Sequence, residues 1–120
     1  MLRVSPEEFD ALVEKAIAQL PDEFARLVNN VVIVVEEEPD PAILAEMGFA
    51  EDEELLGLYQ GTPLTERGVG FDGLPDQVSL YRQPLLRFCG SRRELIREVR
   101  DTLVHELGHY FGLSDEEMPY

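Results

Sequence analysis

From Ser91 to Phe111 the chain repeats apolar residues at helical spacing. Leu95, Ile96, Val99, Leu103, Val104 and Leu107 recur at i, i+3 and i+4, the period of an α-helix with one buried side. Ser91-Arg92-Arg93-Glu94 supplies the start signal: a serine N-cap with a glutamate three residues on, each able to satisfy a backbone N–H left open at a helix start. A helix from Arg92 to Phe111 is a rod of about 30 Å. Its apolar face is broad, so it must be covered on most sides. A chain of 120 residues has material for one domain, and the reading is a single unit over residues 1–120 built around this helix. With 44% apolar residues it can close a hydrophobic core.

The C-terminal end of the rod carries chemistry. The chain has two histidines, and both fall in His105-Glu106-x-x-His109-x-x-Gly112-x-x-Asp115. Side chains at i and i+4 share a helical face, so two imidazoles can meet one Zn²⁺. The intervening glutamate then stands where it can take a proton from a ligand water. Gly112 also has a physical task. A helix that turns back toward its own metal needs a C′ residue tolerating φ > 0. Asp115 follows three residues later, and carboxylate oxygen is an ordinary zinc ligand. Ser114-Asp115-Glu116-Glu117 also fits a capping box, which gives Asp115 a second reading. From spacing alone the third protein ligand is Asp115, Glu116 or Glu117, a residue upstream, or absent. Two imidazoles and a carboxylate would also suit Fe²⁺.

Ahead of this helix, Ser5-Pro6-Glu7-Glu8 opens a first helix. Phe9, Leu12, Val13, Ala16, Ile17 and Leu20 continue it with helical period. Phe24, Leu27 and Val28 form a short second helical turn after Pro21. Val31-Val32-Ile33-Val34-Val35 is apolar on both faces and reads as a central strand. A short helix within 39–48 ends at Gly48, and Leu55–Gln60 and Gln77–Arg82 are two further strands. Gly68-Val69-Gly70-Phe71-Asp72-Gly73 matches a dinucleotide fingerprint only formally, because no strand leads into it and a Leu-Pro-Asp turn follows.

The net charge of −15 opposes nucleic-acid binding, which draws on neutralised phosphates. Residues 36–54 hold nine acids and no base. This stretch reads as a solvated face, and in its sharper form as a selector of basic peptides or a basic partner. The apolar run 31–35 is far too short for a membrane span. The start has acids where a leader would be apolar, which points to the cytoplasm. Cys89 is the single cysteine; it sits in an apolar stretch and reads as a buried structural thiol.

With the motif stand Gly57-Leu58-Tyr59-Gln60-Gly61-Thr62-Pro63, Leu80-Tyr81-Arg82 and Glu98-Val99-Arg100-Asp101-Thr102-Leu103-Val104-His105-Glu106. Together they resemble the small bacterial zincin-like metallopeptidases with an H-E-x-x-H-x-x-G-x-x-D signature, the minimal zincins. The resemblance covers most of the chain. It implies an α+β fold in which a small mixed sheet packs on a long central helix. It implies one Zn²⁺ ligated by His105, His109 and Asp115, with Glu106 as catalytic base. The chain has little material to form two walls of a deep cleft, which favours short or unfolded peptides over folded proteins as substrates. On that footing a peptide would lie along an exposed strand edge, for which Gln77–Arg82 is the choice. Tyr81, Tyr110 and Tyr120 are candidate oxyanion donors, and Met118 invites comparison with the Met-turn of metzincins. The competing class is a non-catalytic metal-binding regulatory or interaction domain that keeps the motif.

Overall fold

The computed structural model describes residues 2–50, 53–61, 76–110 and 112. Among these, five α-helices and a three-stranded mixed sheet make an α+β architecture. Helix α1 (Pro6–Ala18) starts as its sequence dictates: Ser5 Oγ accepts the Glu8 N–H at 3.1 Å. It lays Phe9, Leu12, Val13 and Ala16 into the core. Helix α2 (Asp22–Leu27) follows Pro21, and one 3₁₀ turn leads into strand β1 (Val31–Glu36). Helix α3 (Pro41–Met47) is capped at both ends. The Asp40 carboxylate accepts the Ala42 N–H at 2.9 Å, and Gly48 turns the chain at φ 76°, where a side chain would be strained. Strands β2 (Gly57–Gln60) and β3 (Asp76–Tyr81) follow. Helix α4 (Arg82–Phe88) springs directly from β3, and helix α5 (Arg92–Tyr110) carries the motif.

The strand order is β1-β3-β2, with β1 parallel and β2 antiparallel to β3. This corrects two expectations. Among the described residues the 31–35 run is not central but lies at an edge of the sheet. Val31, Ile33 and Val35 pack on the core, while Val32 is 47% exposed and Val34 only partly buried. The middle place belongs to β3, whose Val78, Ser79, Leu80 and Tyr81 are wholly buried. Paired on both sides, it cannot offer the free edge assigned to it.

The core forms between α5, α1 and the sheet. Leu95, Val99, Leu103, Val104 and Leu107 are fully buried, which makes α5 the central helix its wide apolar face requires. Ser91 Oγ accepts the Glu94 N–H, and the Glu94 carboxylate reaches back to the Gly90 N–H, both at 3.1 Å.

Helix α4 was not legible in advance, since its seven residues include Pro84. Proline is tolerated in a first turn because the N–H it lacks has no intrahelical partner there. Once formed, α4 explains part of the acidic stretch. Arg82 forks onto Glu37 with two bonds of 2.8 Å, and Arg87 bridges Glu38 and Glu54 at 2.9 Å. Three acids of the expected solvated face therefore hold arginines. Among the described residues no helix is long and apolar enough to cross a membrane.

Candidate metal centre

Helix geometry places the site. His105, Glu106 and His109 lie in the last two turns of α5. The imidazoles of His105 and His109 have centroids 4.8 Å apart, inclined at 68°. Glu106 shares the cluster: one donor atom from each of the three side chains lies within 4.8 Å of the others. Side chains so close can converge on a centre about 2 Å from each donor with modest rotation. Two imidazoles and a carboxylate suit zinc. The residues present therefore fit the metal.

Glu106 is largely buried, at 7% exposure, and is held from two sides. Its Oε1 accepts the backbone N–H of Tyr59 at 2.7 Å and stands 3.6 Å from His109 Nδ1. The Tyr59 bond exists because β2 comes very close to α5. A Cβ on Gly57 would stand 2.6 Å from the Thr102 methyl and 3.0 Å from Ser79 O, so only glycine lets the strand approach. Tyr59 is itself fixed, with its ring edge-on to Tyr110 at 6.1 Å and its hydroxyl donating to Asp76 at 2.9 Å.

The three motif side chains line a cleft of about 670 Å³. Its floor is a stripe of α5 comprising Glu98, Asp101, Thr102, His105, Glu106 and His109; its other lining comes from Met47, Phe49 and residues 55–59. Burial, and then the nearby Asp101 charge, push the Glu98 carboxyl above its usual range. Gly112 has φ 83°, and its N–H donates to His109 O at 2.9 Å; the positive φ is what the motif spacing called for.

The structure thus brings together His105, Glu106 and His109. Asp115, Ser114, Met118 and Tyr120 lie outside the described residues, as does the 68–73 glycine segment. Tyr81 and Tyr110 are buried and do not line the cleft. Tyr59 lines it instead. Sequence reading passed over the Tyr59 N–H and Gly57, because a backbone donor leaves no residue-type signal. Glu98 was readable: it lies seven residues before His105, two turns along the same face.

A search of curated proteins finds no match to this chain. Among solved structures it is similar to a conserved hypothetical protein from Thermus thermophilus, at 29% identity and a TM-score of 0.59, covering 90% of this chain and 94% of that one. The zincin-like metallopeptidase family profile matches residues 28–120, a span that includes the sheet, the cleft and the whole of α5, and the chain belongs to that family.

Proposed function

We propose that the protein is a zinc-dependent metallopeptidase that cleaves short or unfolded peptides. The observation that carries this reading is the convergence of His105, Glu106 and His109 within 4.8 Å at the wall of an open cleft. His105 and His109 would hold the ion, with Asp115 as third protein ligand. Zn²⁺, when bound, supplies Lewis acidity, making a ligand water easier to deprotonate and the scissile carbonyl more electrophilic. Glu106 accepts the proton from the attacking water and returns it to the leaving amine. The Tyr59 N–H fixes the carboxylate for both transfers.

Strand β2 suits the role of substrate edge. Leu56 O accepts the Tyr81 N–H, so the backbone groups of Gly57 turn away from β3, as does the Tyr59 N–H that Glu106 already takes. Among the described residues β2 pairs with β3 alone, and it borders the cleft. An extended peptide laid there would gain backbone hydrogen bonds while its scissile bond rests near Glu106.

A second reading draws on the same cluster. Glu106 lies close enough to both imidazoles to ligate the ion itself, as in a non-catalytic metal-binding domain with a closed site. Metal analysis of purified wild type and Glu106→Gln, paired with casein digestion, separates the two. The peptidase reading expects one zinc per chain in both proteins and cleavage only by wild type. Loss of zinc in Glu106→Gln, with no cleavage by wild type, overturns it in favour of the second reading.

A further inference from the structure

The cleft continues past the metal centre along α5. Glu98 lies seven residues before His105, which at 1.5 Å per residue is about 10 Å along the helix. Between them stands Asp101, whose carboxylate is already taken by Arg100 at 2.7 Å. The Glu98 carboxylate forms no side-chain hydrogen bond or close ion pair with another described residue, and Arg97 acts on it only through its charge. It is half-buried, and its surroundings disfavour its charge: burial and Asp101 both act against it, and Arg97 offsets only part. The lining of the same cleft includes Phe49, Leu55 and Leu58, which would shelter methylenes and leave a lone cation unsolvated.

We propose that Glu98 is a specificity-determining residue, and that the cleft takes a substrate side chain with an aliphatic stem and a terminal cation, lysine or arginine. The stem lies along the apolar lining and the cation meets Glu98. The reach is consistent. A residue one step from the scissile bond starts about 3.4 Å away, and a long basic side chain covers the remaining distance. A neutral side chain of equal length would leave Glu98 uncompensated; a short cation would not arrive. The pairing is worth more here than on an open surface because one partner is already partly desolvated. This inference rests on the metallopeptidase reading of the same cleft.

The test uses blocked hexapeptides in which one lysine is walked through the positions, and matching peptides with norleucine in its place. Binding to zinc-loaded Glu106→Gln protein, which should not cut them, is measured by calorimetry with and without Glu98→Gln. The expected result is a register in which lysine binds about tenfold tighter than norleucine, with the preference erased by Glu98→Gln. Glu98→Lys should reverse it toward glutamate-bearing peptides. No preference in the parent, a preference that survives Glu98→Gln, or no binding of either peptide set overturns the assignment. Casein cleavage by wild type is scored separately: its absence removes the peptidase reading, while the binding comparison still decides the role of Glu98.

Discussion

The backbone N–H of Tyr59 donates a 2.7 Å hydrogen bond to Oε1 of Glu106 across 47 residues of chain. A strand edge thereby orients the acid of the metal motif. The bond depends on the bare backbone of Gly57, two residues earlier, lying against Thr102. Gly57→Ala should push β2 off α5 and cost about 1–3 kcal/mol, the usual penalty for overpacking. Thr102→Ser removes the methyl that the new Cβ would strike, so the double variant should recover part of the loss. Chemical denaturation of the three proteins checks this. A Gly57→Ala protein as stable as wild type would show that the close approach is dispensable.

His105→Ala and His109→Ala should each weaken zinc binding by more than about a hundredfold, since losing even a supporting partner of a ligand costs 10–100-fold. Competition with a chromophoric chelator measures this directly. Retention of tight binding by both variants would place the metal elsewhere.

Leu103 is fully buried at the middle of α5. Leu103→Ala should destabilise the fold by about 2–5 kcal/mol through lost burial and the cavity left behind. Val32→Ala, at the 47% exposed position of β1, should cost far less. Equal losses in urea unfolding would contradict the exposure of Val32.

Arg82 holds the Glu37 carboxyl down at about 2, from an ordinary 4.5, chiefly through its side-chain hydrogen bonds. The sign follows from linkage. The unfolded carboxylate protonates first as pH falls, so the pair's stabilisation is present above about 4.5 and lost toward pH 2. Glu37 is 59% exposed, so water screens the pair and the contribution is small. The stability gap between wild type and Arg82→Ala should narrow from pH 6 to pH 2. The remainder reflects the Arg82 bond to Val4 O at 2.9 Å. A gap that widens on acidification would refute this linkage.

Burial pushes the Cys89 thiol up to about 11. Thiolate is the reactive form, so native protein at pH 8 should react with a thiol reagent far more slowly than unfolded protein. Equal rates would show that Cys89 is accessible.

Much was legible in the residues before any fold was in view. Ser5 and Ser91 announced helix starts because a capping side chain bonds within three residues of itself. Gly48 and Gly112 announced turns because positive φ strongly favours glycine. His105, Glu106 and His109 announced their grouping because one helical turn sets their spacing. These are short-range relations, and short-range geometry is written in spacing. Strand order was not. Val31–Val35 carries the apolar signature of a middle strand, yet among the described residues β1 sits at the edge, because rank in a sheet depends on partners distant in sequence.

By itself, then, the sequence determined an α-helix of about five turns ending in two imidazoles and an acid, side chains placed where they could hold a metal ion. Only tertiary structure decided which strand borders the cleft, that the Tyr59 backbone steadies Glu106, that α4 draws three acids into ion pairs, and that the Glu98 carboxylate sits on the cleft floor without a side-chain hydrogen-bond partner among the described residues. Helical contacts repeat every three or four residues and leave a periodic trace. Strand pairing and the approach of a glycine backbone to a helix join positions tens of residues apart, and no local pattern records them.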